Sequence, residues 1–185
     1  MKTGITGGIG SGKSYVCQRL KARGIEVYDC DTAAKRLIRT SAEIRRQLTA
    51  LIGLAAYDGQ QLNKGVVAQF LLKSEESAKA IDAIVHPAVF SDFEQSGMQW
   101  MESAILYESG AWRLVDRVVV VTAPQEVRIR RVMQRDGISS DKVMQWMERQ
   151  LPQQEVRLRA DYEIINDGVA DIDDQIEHLF KKMKI

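Results

Sequence analysis

Short apolar segments alternate with amphipathic segments along much of the chain, a pattern typical of an α/β protein. The clearest apolar segment, residues 117–122, contains four consecutive valines with no polar position between them, as in a strand buried on both faces of a parallel sheet. We predict four further strands, at residues 3–6, 25–28, 104–107 and 162–165. With helices between the strands, the pattern predicts one five-stranded parallel sheet flanked by helices.

Residues 41–101 interrupt this alternation, because their pattern is mostly helical. A proline suits a helix start and disfavours helix in the residue before it, so His86-Pro87 predicts a boundary between two helices. We expect an inserted helical lobe that binds a substrate and moves relative to the sheet. Its predicted helices are residues 43–54, 64–73, 77–85 and 88–101.

Two polar helical segments, residues 139–150 and 153–159, meet at Pro152, and we predict that they form a lid. The length favours one domain, or one domain with an inserted lobe, and is enough to bury a real core. The predicted organisation is one domain over residues 1–185, comprising a core (1–40, 102–136 and 160–185), the lobe (41–101) and the lid (137–159).

The segment Gly7–Ser14 matches the phosphate-binding pattern G-x-x-x-x-G-K-[ST]. It lies between the first predicted strand and an amphipathic helix, which is the context that the pattern requires. Glycines let successive N–H groups converge on a polyphosphate at a helix N-terminus, Lys13 adds a charge for the β- and γ-phosphates, and Ser14 offers a hydroxyl to Mg²⁺. A glycine-rich turn with an exposed lysine is the less favoured alternative. The residues predicted to bind ATP here are Gly8, Ile9, Gly10, Ser11, Gly12, Lys13, Ser14 and Tyr15.

Acidic residues follow two predicted strands at the carboxyl edge of the sheet, where ligands bind in open α/β sheets. Asp31 is a candidate to accept a proton from an attacking hydroxyl, or to hold that hydroxyl in line with the γ-phosphate. Asp29 can orient a neighbour or a metal-bound water. Either aspartate can instead cap the next helix. Glu108, after residues 104–107, is predicted to act like a Walker-B acid, binding Mg²⁺ through water or contacting the acceptor.

Arginines recur on one face of the helix predicted after Pro124. A stripe of guanidinium groups beside a phosphate loop suits charge neutralisation in a transition state. Solvated helix faces also carry arginines, and we favour that interpretation for Arg128 and Arg130. The stripe consists of Arg128, Arg131 and Arg135.

The composition argues against several classes of partner. The chain has 26 Lys and Arg residues and 25 Asp and Glu residues. A net charge of +1 gives no indication of binding to nucleic acid or to an anionic membrane. No apolar run approaches membrane-spanning length, and the first strand leaves no room for a signal peptide, so we expect a cytoplasmic protein. Cys17 and Cys30 fit free thiols in a reduced compartment.

Together these motifs resemble dephospho-coenzyme A kinases, a family of P-loop kinases, over nearly the whole chain. The family's opening G-[IL]-T-G-G-I-G-S-G-K-[ST] is matched letter for letter by residues 4–14. Four shorter elements follow: D-A-D at 29–31 (here D-C-D), H-P-x-[IV] at 86–89, R-x-x-x-R-D at 131–136, and A-D-x-x-I-x-N at 160–166.

The resemblance implies transfer of the γ-phosphate of ATP to the ribose 3′-hydroxyl of dephospho-coenzyme A, the last step of coenzyme A synthesis. It implies that Asp31 is the catalytic base, that Lys13 and Arg131 stabilise charge, and that Ser14 binds Mg²⁺. Arg135 at the lid hinge and Asn166 near the ATP base join the ATP-binding set. The residues implied to bind the acceptor are Asp29, Asp31, Lys64, His86 and Glu108.

Three positions depart from the family pattern. The usual V-P-L-L-[FV]-E reads S-A-I-L-Y-E at residues 103–108, which keeps the acid and loses the proline. An arginine common near the start of a lobe helix is Lys64 here. The lid motif R-I-x-x-Q begins with Trp146, so Arg149 or Arg157 replaces its arginine or the lid contributes less to phosphate binding. Homo-oligomer formation stays open.

Other functions remain possible at this point. A nucleoside, nucleotide or shikimate kinase shares the loop and the lid but not the H-P-x-V and A-D-x-x-I-x-N elements. A nucleotide switch that selects guanine needs N-K-x-D, and residues 63–66 contain only its first half. A catalytically silent scaffold would tolerate loss of Lys13.

Overall fold

The chain forms a five-stranded parallel sheet flanked by helices, as predicted. The computed structural model describes the backbone of residues 1–185 and every side chain except that of Glu75. The strand order is β2-β5-β1-β6-β7, and β1 pairs in parallel with β5 and β6, as β6 does with β7. The valine run is thus an interior strand, next to the central β1. The strands are β1 (Thr3–Thr6), β2 (Val27–Asp29), β5 (Trp100–Glu102), β6 (Arg117–Thr122) and β7 (Tyr162–Ile165).

The chain divides into two compact units, and the first comprises residues 1–28 and 98–185. Its core lies between the sheet and helices α1 and α9, where Ile5, Val119, Ile164, Leu20 and Ile176 are each at most 1% exposed. Its helices are α1 (Lys13–Lys21), α6 (Gln125–Asp136), α7 (Ser140–Met147), α8 (Gln153–Arg159) and α9 (Ile172–Met183), with a 3₁₀ turn at Ala111–Leu114.

The second unit, residues 29–97, is mostly helical and begins earlier than the predicted lobe, since it includes the helix after β2. A short antiparallel ribbon interrupts its helices. Its elements are α2 (Cys30–Thr40), α3 (Ala42–Ile52), a 3₁₀ turn (Leu54–Ala56), β3 (Tyr57–Asp58), β4 (Gln61–Leu62), α4 (Lys64–Leu71) and α5 (Glu75–Ser96).

The predicted helix boundary at His86-Pro87 is wrong, because α5 continues through Pro87. Proline removes one backbone hydrogen bond from a helix. On α5, Val85, Val89 and Phe93 recur at i, i+4 and i+8 and are at most 5% exposed, where the helix packs against α2 and α3. Burial of this apolar stripe outweighs the missing hydrogen bond.

The predicted strand at residues 104–107 is also wrong. Helix α5 ends at Ser96, Gly97 takes a left-handed conformation with φ of 71°, and the strand follows at once as Trp100–Glu102. Residues 104–109 form turns instead. Among the residues that the structure describes, no helix has the length and apolar character needed to cross a membrane.

Candidate active site

The phosphate-binding loop connects β1 to α1, and its glycines are needed for its shape. Gly10 and Gly12 have φ values of 78° and 91°, which side chains other than glycine rarely adopt. A Cβ at Gly10 would also lie 2.5 Å from the backbone oxygen of Arg128, and one at Gly12 would collide with the side-chain amide of Asn166. Gly12 is the N-cap of α1 and has no side chain to cap the first turn. The backbone N–H groups of that turn are therefore suited to binding an anion.

Lys13 is held at the base of this loop. Its Nζ donates a hydrogen bond to the carbonyl of Gly7 at 2.8 Å and lies 3.9 Å from Oε1 of Glu102. The side chains of Lys13 and Glu102 are only 11% and 15% exposed. Glu102 ends β5, the neighbour of β1, so it is the acid that the sheet brings to the lysine.

Glu108 does not follow a strand, which corrects the prediction that it stands as a Walker-B-like acid at the sheet edge. Its side chain is exposed, and Oε1 accepts a hydrogen bond from the backbone N–H of Leu151 at 3.0 Å. Sequence reasoning missed Glu102 because it extended the preceding helix to residue 101. Gly97, a common residue just after a helix end, was the signal for the true boundary.

Arg131 and Asn166 meet at the loop from two different elements. Asn166 follows β7, is 7% exposed, and donates from Nδ2 to the carbonyl of Ser11 at 2.9 Å. Arg131, on α6, donates to the backbone oxygen of Asn166 at 2.9 Å and to Oδ1 of Asn166 at 3.3 Å. Its Nη1 also lies 3.4 Å from the carbonyl oxygen of Ser11. Arg131, predicted to stabilise charge, and Asn166, predicted to bind ATP, therefore support the same segment of the loop.

Arg128 contradicts the prediction of a solvated arginine. It is 7% exposed, and its Nε donates to the carbonyl of Ile9 at 2.9 Å. Burial lowers the pKa of the Arg128 guanidinium from its ordinary value. Arg130, predicted in the same way, is exposed.

Arg135 is exposed near the end of α6. Its guanidinium donates to both carboxylate oxygens of Asp136, at 2.8 and 2.7 Å. The hydrogen bond from Arg135 holds the pKa of Asp136 below its ordinary value, and the carboxylate raises the pKa of Arg135. The ATP-binding role of Arg135 stays a prediction.

A cavity of about 620 Å³ adjoins the loop. Its size suits a nucleoside, and Arg131 and Asn166 supply polar groups at its wall. The turn after β7 closes the other side, shaped by Oδ1 of Asp167, which accepts the N–H groups of Val169 and Ala170 at 2.8 Å each. These two hydrogen bonds lower the pKa of Asp167. The lining residues are Gly12, Tyr15, Arg131, Asn166 and residues 168–173.

The second unit carries most of the residues predicted to bind the acceptor. Asp29 caps α2, since its carboxylate accepts from the N–H of Thr32 at 2.9 Å and from Oγ1 of Thr32 at 2.8 Å. The capping role considered for Asp29 is therefore present. Asp31 is exposed in the first turn of α2, and Lys64 is exposed at the start of α4.

His86 lies mid-helix on α5. Its Nε2 is 3.6 Å from Oδ1 of Asp82, one turn earlier, and its ring stacks on Phe90 with centroids 6.0 Å apart. This environment resembles that of a packing residue. Binding of the acceptor by His86 stays a prediction.

The fit of a metal ion depends on Ser14. Within the described part of the chain, no cluster of three or more His, Cys, Asp or Glu side chains has a geometry suited to a metal. Mg²⁺ commonly binds nucleotide enzymes through one or two protein oxygens, several waters and the phosphates, and needs no such cage. Ser14 is exposed in the first turn of α1, and its hydroxyl is an oxygen ligand of this kind.

Comparison with known proteins gives a consistent family. A family model described as dephospho-CoA kinase matches residues 1–171. The dephospho-CoA kinase of Bacteroides fragilis strain YCH46 is 40% identical over 186 residues, covering 97% of this chain and 91% of that protein.

Solved structures agree in fold. The crystal structure of TT1252 from Thermus thermophilus has a TM-score of 0.87 and 30% identity, and covers 100% of this chain and 98% of that one. The dephospho-CoA kinase from Campylobacter jejuni has the same fold, with a TM-score of 0.68 at 19% identity over 99% of this chain and 98% of that one. The match over nearly the whole chain shows that it belongs to the dephospho-CoA kinase family, enzymes that phosphorylate dephospho-coenzyme A with ATP in the final step of coenzyme A synthesis.

Proposed function

We propose that this chain transfers the γ-phosphate of ATP, bound with Mg²⁺, to the ribose 3′-hydroxyl of dephospho-coenzyme A at the phosphate loop. The proposal rests on the position of Lys13, the first residue of α1. Its Nζ lies 2.8 Å from the carbonyl oxygen of Gly7 and 3.9 Å from Oε1 of Glu102. A cation so held, beside a helix N-terminus with no capping side chain, forms an anion site.

The triphosphate binds along the loop from Gly8 to Tyr15. Backbone N–H groups of the loop and of the first turn of α1 face the phosphate oxygens, and Lys13 neutralises charge that builds on the transferred group. The nucleoside occupies the cavity of about 620 Å³ beside Arg131 and Asn166. Arg135 completes the ATP contacts from the end of α6.

Ser14 is the proposed protein ligand of Mg²⁺, and the ion supplies charge neutralisation for the phosphates. Glu102, beside Lys13, is better placed than Glu108 to influence this region, because it ends the strand next to β1. Glu108 contacts the segment that leads into α8. We therefore assign Glu102 to the phosphate end of the site, and keep Glu108 as a candidate acceptor contact.

Asp31 is the proposed base that takes the proton of the ribose hydroxyl. Its exposure in the first turn of α2 leaves the carboxylate open to a substrate. Asp29 fixes the start of α2 through its bonds to Thr32, and in this way limits the positions open to Asp31. Lys64 and His86 are proposed acceptor contacts from the same unit.

Residues 137–159 are proposed as a lid over ATP, and the second unit as the acceptor-binding lobe. A cytoplasmic location fits an enzyme that consumes ATP and a coenzyme precursor. The composition, with a net charge of +1, supports neither a nucleic-acid nor a membrane partner.

The test is an assay of phosphate transfer to a panel of acceptors, in which the ADP released is measured with a coupled reaction. Dephospho-coenzyme A should be turned over and shikimate, nucleosides and nucleoside monophosphates should not, and ³¹P NMR should place the new phosphate on the 3′-oxygen. Omission of Mg²⁺ should abolish transfer. A faster reaction with any other acceptor would contradict the proposal.

A further inference from the structure

The apex of the phosphate loop rests on a buried arginine. Arg128 reaches from α6 to the loop, where its Nε donates to the carbonyl of Ile9 at 2.9 Å. Its Nη2 occupies the space that a Cβ on Gly8 would need. The guanidinium therefore packs directly against the backbone of two loop residues that are predicted to bind ATP.

A second contact fixes the arginine from behind. Its Nη1 lies 3.4 Å from Oε1 of Gln153, the first residue of α8. Gln153 in turn is anchored to the backbone of Ala123, by one hydrogen bond of 3.3 Å to the N–H and one of 3.2 Å to the carbonyl. The guanidinium thus contacts the loop and the start of α8, and Gln153 connects it to the residue that follows β6.

The charge of Arg128 is not neutralised by any described side chain. It is 7% exposed, and none of the ion pairs among the described residues includes it. A buried cation is costly unless an anion compensates it. Two neighbouring arginines differ, since Arg135 pairs with Asp136 and Arg130 lies exposed. Arg131 is partly buried and donates to the carbonyl of Asn166.

We propose that Arg128 is a positioning residue of the phosphate loop whose positive charge is matched by the bound polyphosphate. The inference rests on the proposed binding of ATP at this loop. Arg128 lies behind the loop backbone and acts across it, by holding the carbonyl of Ile9 away from the phosphates and by raising the positive potential at the loop. It therefore favours ligands with β- and γ-phosphates, and contributes little to binding of the nucleoside.

Two substitutions separate the charge from the hydrogen bond. In Arg128→Gln, the amide nitrogen has the same number of bonds from Cα as Nε of arginine, so a donor to Ile9 is kept and the charge is lost. In Arg128→Lys, the charge is kept and the donor at the Nε position is lost. Arg130→Gln is the matched control on the exposed face of the same helix.

The measurements are dissociation constants for Mg·ATP and for inorganic tripolyphosphate, together with melting temperatures. Arg128→Gln should lower the affinity for both ligands by about 10-fold or more, as expected for loss of a unit charge within several ångströms of an anion. Arg128→Lys should stay within about 3-fold of the parent, and Arg130→Gln within about 2-fold. Adenosine should bind equally well to parent and Arg128→Gln.

Specific outcomes would overturn the inference. One is that Arg128→Gln binds both phosphate ligands as the parent does. Another is that Arg128→Lys loses as much affinity as Arg128→Gln, which would make the arginine a structural support only. If the parent itself does not bind Mg·ATP, or if Lys13→Ala does not weaken it, the proposed function fails first, so the two failures are distinguishable.

Discussion

Replacement of Asn166 by alanine should destabilise the phosphate loop and weaken the binding of ATP. The side chain is 7% exposed and makes two hydrogen bonds, to the carbonyl of Ser11 at 2.9 Å and from Arg131 at 3.3 Å. At about 1 kcal/mol for each, their loss amounts to ~2 kcal/mol. The backbone hydrogen bond from Asn166 to Thr122, 2.8 Å long, is kept in the variant.

The assay is thermal unfolding with and without Mg·ATP. For a chain of 185 residues, ~2 kcal/mol corresponds to a fall in the melting temperature of roughly 4–8 °C. The affinity for Mg·ATP should fall by about 10-fold, because the loop loses its bond from Asn166 and Arg131 loses one of its two hydrogen bonds to that residue.

Asn63 provides the control. It caps α4 by accepting from the N–H groups of Gly65 and Val66, so Asn63→Ala should cost about 1 kcal/mol. It should leave the ATP affinity unchanged. An Asn166→Ala protein with parental stability and parental ATP affinity would refute the reasoning.

Four further predictions follow from the site. Glu102→Gln should lower kcat by about 100-fold or more, whereas Glu108→Gln should lower it less than about 10-fold, in steady-state assays; the reverse order would restore the first assignment. Gly12→Ala should abolish ATP binding in calorimetry, since it combines a strained φ with a clash against Asn166; measurable parental affinity would contradict this. Asp31→Asn should remove most turnover while Mg·ATP still binds, and near-normal turnover would exclude Asp31 as the base. Backbone hydrogen bonds lower the pKa of Asp167, so the stabilising effect of its carboxylate is complete above the ordinary pKa of about 4 and is lost as the pH falls from there through the lowered pKa. Asp167→Asn should therefore flatten the acid side of a plot of melting temperature against pH. An unchanged acid side would contradict this role of Asp167.

The sequence predicted those parts of the fold that local pattern controls. The valine run, the glycine pattern of the loop and the β-prone segments at both ends of the chain each determine their own structure. Three predicted strands have the observed bounds, and a fourth, predicted at 25–28, overlaps β2 at Val27–Asp29. The motifs gave Arg131 a charge-stabilising role and placed Asn166 near the ATP base. Their shared contacts with the backbone of the phosphate loop were not predicted.

The failures came from tertiary packing and from the shortness of one strand. Helix α5 runs through Pro87 because its buried stripe lies against α2 and α3, and a residue pattern does not reveal that partner surface. Strand β5 has only three residues, too few for a reliable period, so Glu102 was overlooked. Arg128 looks like any arginine on a polar helix; only the loop packed above it reveals its burial.

The most direct measurement is transfer of ³²P from labelled ATP to dephospho-coenzyme A, by the parent and by Lys13→Ala, at equal concentration and with folding verified by melting temperature. If the loop binds the triphosphate through Lys13, kcat/KM of Lys13→Ala should be about 1000-fold or more below that of the parent, while the variant remains folded. A folded Lys13→Ala protein that transfers phosphate at the parental rate would contradict the account.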